Sequence, residues 1–319
     1  MELHVWGNKD EFAIIDPESI ASIWLLNELL DKSNFTVVPS SNNKLSPTGK
    51  LPVLLQNGQV IDGYQNIVQY LATTQGLSLD SELTPQEQAF NQSLTIFAQT
   101  ELSLITNYSL YLNKENYEKY TRGIFSHYLA FPLQYNTPIS LRSLAKTKCL
   151  EIGLIVEDKS DLEEDMLKSI PTISSKIRKM KNDQMIEYKL LMKNSKTNFK
   201  CLNYVQSNLI DFLNGLRTEL NNSNKTKTNI DNAIEILPIF QKSDKVFSSG
   251  ELLILAYLNT LLSPKLPDQF INDYIKVSVD STNLQFITKE IQRLNEGLKS
   301  VSTRKPKFWG ESANILNSF

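Results

Sequence analysis

Histidine and cysteine are scarce in this chain: 319 residues hold only His4, His127, Cys149 and Cys201. Two histidines far apart in sequence make a histidine-based metal site improbable, because such sites draw several imidazoles or thiolates together. The cysteines offer neither metal-ligand spacing nor a disulfide framework and suit a reducing compartment. No apolar run reaches the roughly 18 residues that a membrane span requires. The longest, Leu252 to Leu262, reads as a buried helix. With a net charge of −2 there is no global basic field, so nucleic acid is not an expected partner. The opening MELHVWGNKDEF lacks a basic, acid-poor leader, so no signal or transit peptide is expected.

What is present is organised around Gly49 to Leu71. Leu51 to Leu55 is a short apolar run containing Pro52, and Val60-Ile61 is a second short strand. Asn57-Gly58 between them fits a type I′ hairpin, because both residues tolerate the positive φ that this turn demands. Asp62 is placed as the N-cap of a helix that buries Ile67, Val68, Tyr70 and Leu71. Upstream, Leu3–Trp6 reads as a strand and Asp16-Pro17 as a helix start, with Ile20, Ile23, Trp24 and Leu30 facing a sheet. Phe35–Val38 reads as a further strand. Residues 1–76 are thus expected to form a thioredoxin-like α/β domain.

Beyond a linker at 76–80 the pattern is helical. Thr84-Pro85-Gln86-Glu87 is a capping box, followed by Phe90, Leu94, Phe97, Leu104, Tyr108 and Tyr111 at helical spacing. That stripe predicts core. Glu101 lies on it, and Arg142 lies on another stretch with apolar neighbours. Each is costly to bury alone, which predicts that they pair. A second helix is expected from Glu115 to Ala130 and a third from Thr137-Pro138 to Ile152, with His127 as a packed core histidine. Leu209, Phe212, Leu213 and Leu216 mark another. Ser248 and Glu251 form a second capping box, with Phe247 able to staple onto the first turn. Two more helices are expected near Asp268–Ile275 and Asn283–Val301. An all-α domain over 83–301 is therefore predicted, with an acidic and then basic insertion at about 157–200 and a tail at 302–319.

Lys50-Leu51-Pro52-Val53-Leu54 and Ile67-Val68-Gln69-Tyr70-Leu71 resemble the end of a glutathione-transferase N-terminal domain. The resemblance implies a glutathione-transferase-like fold and a cis Leu51–Pro52 bond, so Pro52, Asn57 and Gly58 are read as structural, as are Ser248 and Glu251. It also exposes what is missing. A transferase needs a hydroxyl or thiol just after the first strand to stabilise the glutathione thiolate. Between Gly7 and Glu18 there is no Tyr, Ser, Thr or Cys, and Ser19 lies inside the helix start. Gly63 and Tyr64 occupy the places where the family holds glutathione. No enzyme activity and no cofactor are expected, although a transferase with a displaced nucleophile and a transferase-like docking domain of another complex stay open.

A narrower resemblance lies in Trp6-Gly7, Asp16-Pro17-Glu18-Ser19-Ile20-Ala21, Gly63 to Leu71 and the stretch Leu104 to Ser143. Together these are similar to the metaxins, and within them to the larger fungal metaxin-like subunits of the mitochondrial sorting and assembly machinery (SAM). The resemblance implies a peripheral protein on the cytosolic face of the mitochondrial outer membrane, attached through partners. Those implied are a BamA-type β-barrel insertase, a second metaxin-like subunit, β-barrel precursors and a receptor of the TOM translocase with an acidic cytosolic domain. The basic segment Lys176, Arg178, Lys179 and Lys181 is the candidate face for that receptor.

Overall fold

The computed structural model describes residues 1–155, 195–223, 234–240 and 247–314. The N-terminal unit runs β1 (Glu2–Val5), α1 (Pro17–Leu29), β2 (Thr36–Pro39), β3 (Val53–Gln56), β4 (Gln59–Asp62) and α2 (Tyr64–Thr74). The strands form one mixed sheet in the order β2-β1-β3-β4. β1 pairs parallel to β2 with Leu3 opposite Val37, and antiparallel to β3 with Leu3 opposite Leu54. Asn57 (φ 50°) and Gly58 (φ 78°) close the β3–β4 hairpin as a two-residue turn between Gln56 and Gln59, as their chemistry predicts. The Leu51–Pro52 bond is cis, and the Pro52 carbonyl accepts from the Gly63 amide at 2.9 Å, tying the start of β3 to the start of α2.

Asp62 does not cap α2. Gly63 (φ 78°) takes the N-cap position, while the Asp62 carboxylate turns back to accept from Ser46 Oγ (2.9 Å), Thr48 Oγ1 (2.6 Å) and Thr48 N (3.3 Å). The loop before β3 supplies three donors to this carboxylate, and those hydrogen bonds, chiefly from Thr48, hold it below its usual range.

The helical body begins at α3 (Pro85–Phe97), where Thr84 and Glu87 make the expected capping box. The helix continues through a π turn at Ala98–Leu102, α4 (Ser103–Asn107) and a second π turn at Tyr108–Leu112. Next come α5 (Lys114–Asn116), α6 (Arg122–Tyr128), α7 (Leu133–Glu151), α8 (195–205) and α9 (Phe212–Ser223). The body ends with α10 (Ser249–Leu261), α11 (Phe270–Ser278) and α12 (Ser281–Leu298). The third expected helix starts earlier than Thr137-Pro138: α7 opens at Leu133, and Pro138 lies buried inside it. His127 is exposed on α6; the neighbouring Phe125 and Leu129 fill the core instead.

α10 is the central element. It is buried almost end to end and packs α1 on one side and α3 on the other. Gly250 is obligatory there: a Cβ would stand 2.6 Å from Asn91 Oδ1 and 2.8 Å from the Asn91 carbonyl. Phe247 packs on Phe286 of α12 (ring centroids 6.0 Å apart). α1, sandwiched between sheet and α10, buries Ser19 and Ser22 along with Ile20, Ile23 and Trp24.

The C-terminal segment is not a separate tail. Val37 N donates to Ser302 O (2.9 Å) and Arg304 N to Val37 O (3.2 Å), so residues 302–304 extend the sheet beyond β2. Arg304 then bridges Glu2 at 2.6 Å and Glu311 at 2.7 Å.

Candidate functional site

In a glutathione-transferase-like fold the thiol is handled where β1, α1 and the start of α2 meet, facing the helical body. Here that junction is filled. The loop after β1 is tied down: Glu11 takes Lys265 at 2.7 Å and the Tyr128 hydroxyl at 3.2 Å, while Thr260 Oγ1 donates to Ile14 O at 2.6 Å. Trp6 packs edge-on against Phe125 (5.7 Å). Ser19, the hydroxyl that follows this loop in sequence, is fully buried. It donates to Asp16 and accepts from Trp6 N at 3.4 Å, so both of its hydrogen-bonding roles are engaged inside the fold. Tyr64, at the place of a glutathione-holding residue, is also fully buried, and its hydroxyl crosses to donate to Ser249 O at 2.7 Å.

These contacts belong to a polar seam between sheet and helices. Glu18 accepts from Tyr64 N (3.4 Å) and Gln99 Nε2 (3.1 Å). Asp80, in the interdomain linker, accepts from Ser249 N (2.8 Å) and Ser249 Oγ (2.6 Å), placing a carboxylate at the N-terminus of α10, where the helix dipole favours it. Asn91 binds Ser249 Oγ at 3.0 Å and Gly250 N at 3.0 Å. Burial pushes the Asp16 carboxyl up to about 7, with Glu18 adding to the rise and Ser19 opposing it. Glu18 is also raised by burial, against the donors from Tyr64 and Gln99. Ser248 and Glu251 form their capping box, and Glu251 reaches further: it accepts from Ile239 N (2.6 Å) and Phe240 N (3.1 Å).

Glu101 and Arg142 are not partners. Glu101 is half-buried and accepts a hydrogen bond from the Tyr204 hydroxyl of α8; Arg142 is exposed, its guanidinium 4.3 Å above the Tyr117 ring. The expectation assumed two buried charges. A hydroxyl satisfies one and solvent the other. The basic segment Lys176, Arg178, Lys179 and Lys181 lies outside the described residues, as does most of the insertion. Cys149 and Cys201 are both buried in the main core, and burial pushes the Cys149 thiol up to about 12, far from a reactive thiolate. Two surface clefts, of 290 and 420 Å³, border α8; neither is lined by a residue of 1–76.

One cluster was hidden from sequence reading. Glu2, His4 and Glu311 bring possible ligand atoms within 4.8 Å of one another, and neither ring nitrogen of the buried His4 has a hydrogen-bond partner among the described residues. The donor set nevertheless fits a latch better than a metal. Arg304 already donates to both oxygens of Glu2 (2.8 and 2.6 Å) and both of Glu311 (2.7 and 3.0 Å). Burial pushes the His4 imidazole below its ordinary range. The signal, Glu2 and Glu311 at opposite ends of the chain, has no sequence spacing to reveal it.

Comparison with known proteins agrees with this architecture. Residues 19–142 match the profile of a family described as outer mitochondrial membrane transport complex protein (Tom37), and residues 155–319 match its C-terminal domain. A Metaxin-1 homolog of Drosophila melanogaster is 27% identical over 163 residues, which is 51% of this chain and 49% of that protein. The chain thus spans about half the length of the curated relative it matches. Among the described residues no helix is long and apolar enough to cross a membrane. The mixed sheet followed by a helical body is the glutathione-transferase-like arrangement of these relatives, and the chain belongs to the metaxin family, with the Tom37 proteins of an outer mitochondrial membrane transport complex.

Proposed function

We propose that this chain is a non-enzymatic, peripheral subunit of the SAM machinery on the cytosolic face of the mitochondrial outer membrane. It assists insertion and release of β-barrel precursors and contacts the TOM translocase. The observation that carries the reading is the filled junction. In a chain whose relatives belong to an outer-membrane transport complex, the place for a thiol substrate is occupied by Tyr64 and the Trp6–Phe125 contact. Buried side chains there lock the sheet to the helical body, which suits a rigid docking unit. Its partners in this reading are a BamA-type insertase, a second metaxin-like subunit and the acidic TOM receptor, the last received by Lys176, Arg178, Lys179 and Lys181.

The test is affinity purification of the tagged chain from detergent-solubilised mitochondria, with mass spectrometry. Recovery of the barrel insertase and the second subunit is expected. Glutamate at all four basic positions should lower receptor recovery and leave the insertase bound. Absence of the insertase, or saturable sub-millimolar glutathione binding with turnover of a chloronitrobenzene, overturns the reading.

A further inference from the structure

We propose that the turn Lys305–Trp309 is a lipid anchor: Phe308 and Trp309 enter the headgroup boundary of a bilayer, and Lys305 and Lys307 meet anionic phosphates. Phe308 is 59% and Trp309 70% exposed, whereas the other two tryptophans, Trp6 and Trp24, are buried. The two rings stand edge to face, 5.2 Å apart, as one apolar knob. The backbone beneath them is braced. Ser312 N donates to Lys307 O at 3.0 Å, and Ser312 Oγ and Asn314 Nδ2 donate to Phe308 O at 2.8 and 2.9 Å. Lys307 N donates to Glu311 at 2.8 Å, and Glu311 is held by Arg304, which fixes the turn to the sheet. The knob is therefore presented by a pre-ordered loop, with the Lys307 N–H and the Lys305, Lys307 and Phe308 carbonyls hydrogen-bonded and the two rings outside.

The charge around the knob selects the occupant. Between Lys299 and Trp309 the sequence holds Lys299, Arg304, Lys305 and Lys307 and no carboxylate. Lys305 and Lys307 are exposed, Lys307 lying 3.6 Å from Glu311. Aromatic rings with flanking lysines match the water–hydrocarbon boundary, where indole sits at headgroup level and ammonium groups reach lipid phosphates. Two protruding rings are too small for a stable protein interface, which buries about 800 Å² on each partner. A weak, additive lipid contact needs no more than this, and it would orient a subunit that its protein partners also hold.

The purified full-length chain is mixed with vesicles of phosphatidylcholine containing phosphatidylserine, and with vesicles of phosphatidylcholine alone. Co-sedimentation is expected with the first and less with the second. Trp309 emission should shift to the blue and lose acrylamide quenching, a change that buried Trp6 and Trp24 cannot supply. Phe308→Ser with Trp309→Ser should abolish sedimentation, and Trp309→Tyr should retain it. Lys305→Glu with Lys307→Glu should weaken binding about tenfold or more, on the scale set by the surface potential acting on each cation. The substituted side chains lie outside the core, so an unchanged melting temperature checks the fold. The proposal fails if the chain ignores anionic vesicles, if the double serine variant binds as well as the parent, or if the emission does not move. It also fails if those substitutions remove only a protein subunit from the purified complex.

Discussion

Glu251 is the sharpest place to test the energetics. Its carboxylate is 1% exposed and accepts from Ile239 N at 2.6 Å, Phe240 N at 3.1 Å, Ser248 N at 2.9 Å and Ser248 Oγ at 3.0 Å. It closes the first turn of α10 and holds the segment 234–240 against it. Glu251→Ala leaves three backbone N–H groups without an acceptor. Each unsatisfied buried donor costs about 1–3 kcal/mol, while the cap from Ser248 Oγ to the residue-251 amide survives the change. Against that, the variant no longer buries a carboxyl that burial pushes above its ordinary range. Taking the low end for each donor, the expected net loss is about 3 kcal/mol. Glu251→Gln keeps the acceptor for Ile239 and Phe240 but turns an NH₂ toward Ser248 N, and should lose about half as much. Urea unfolding followed by tryptophan emission measures both, with the m-value checking that the same surface unfolds. A loss below about 1 kcal/mol for Glu251→Ala would refute the reasoning, since it would mean the three amides find water or the loop simply lifts away.

Asp16 carries a pH signature. Its folded-state carboxyl is raised to about 7, above the unfolded value, so the fold binds the proton more tightly and stability falls as pH rises from about 4 to about 7. Asp16→Asn should flatten that slope relative to the parent and be the more stable form at pH 8, by a ceiling of about 4 kcal/mol; parallel pH–stability curves would contradict this. Arg304→Gln should loosen the C-terminal segment, visible as faster amide exchange at Arg304 and Val37, with a stability cost of about 1 kcal/mol or less because the pairs are partly solvated. Tyr64→Phe keeps the ring and removes the bond to Ser249 O, for an expected loss of about 1–2 kcal/mol by thermal unfolding and no gain of glutathione binding by calorimetry.

The elements were legible where local chemistry alone decides them. Asn57-Gly58, Thr84-Pro85-Glu87 and Ser248-Glu251 each write their turn or cap into neighbouring residues, and each is found in place. Pro138 misled because proline favours a first turn, yet α7 opened at Leu133 and carried it inside. The site was harder to read because its meaning is long-range. Asp16-Pro17-Glu18-Ser19 reads as a helix start, and it is one. Only the packing of α10 across α1 turns its two carboxylates into half-buried groups with no ion pair among the described residues. Similarly, Glu101 offers no clue to Tyr204, nor Glu2 to Arg304, since those contacts join segments distant in sequence.

The seam also indicates what the fold gives up and what it gains. Half-buried carboxylates such as Asp16 and Glu18 are a poor source of stability, because desolvation offsets much of what their hydrogen bonds contribute. What they provide is direction: Glu18 is satisfied only while Tyr64 N and Gln99 face it together, and Asp80 only while Ser249 begins α10 beside it. Glu11 adds a third tie through Lys265 and Tyr128, on elements that neither of the others uses. Three connections at separate points fix the orientation of a sheet against a helical body more firmly than an apolar contact of equal area, which can slide. These three ties hold surfaces contributed by the sheet side and by the helical body together at one junction.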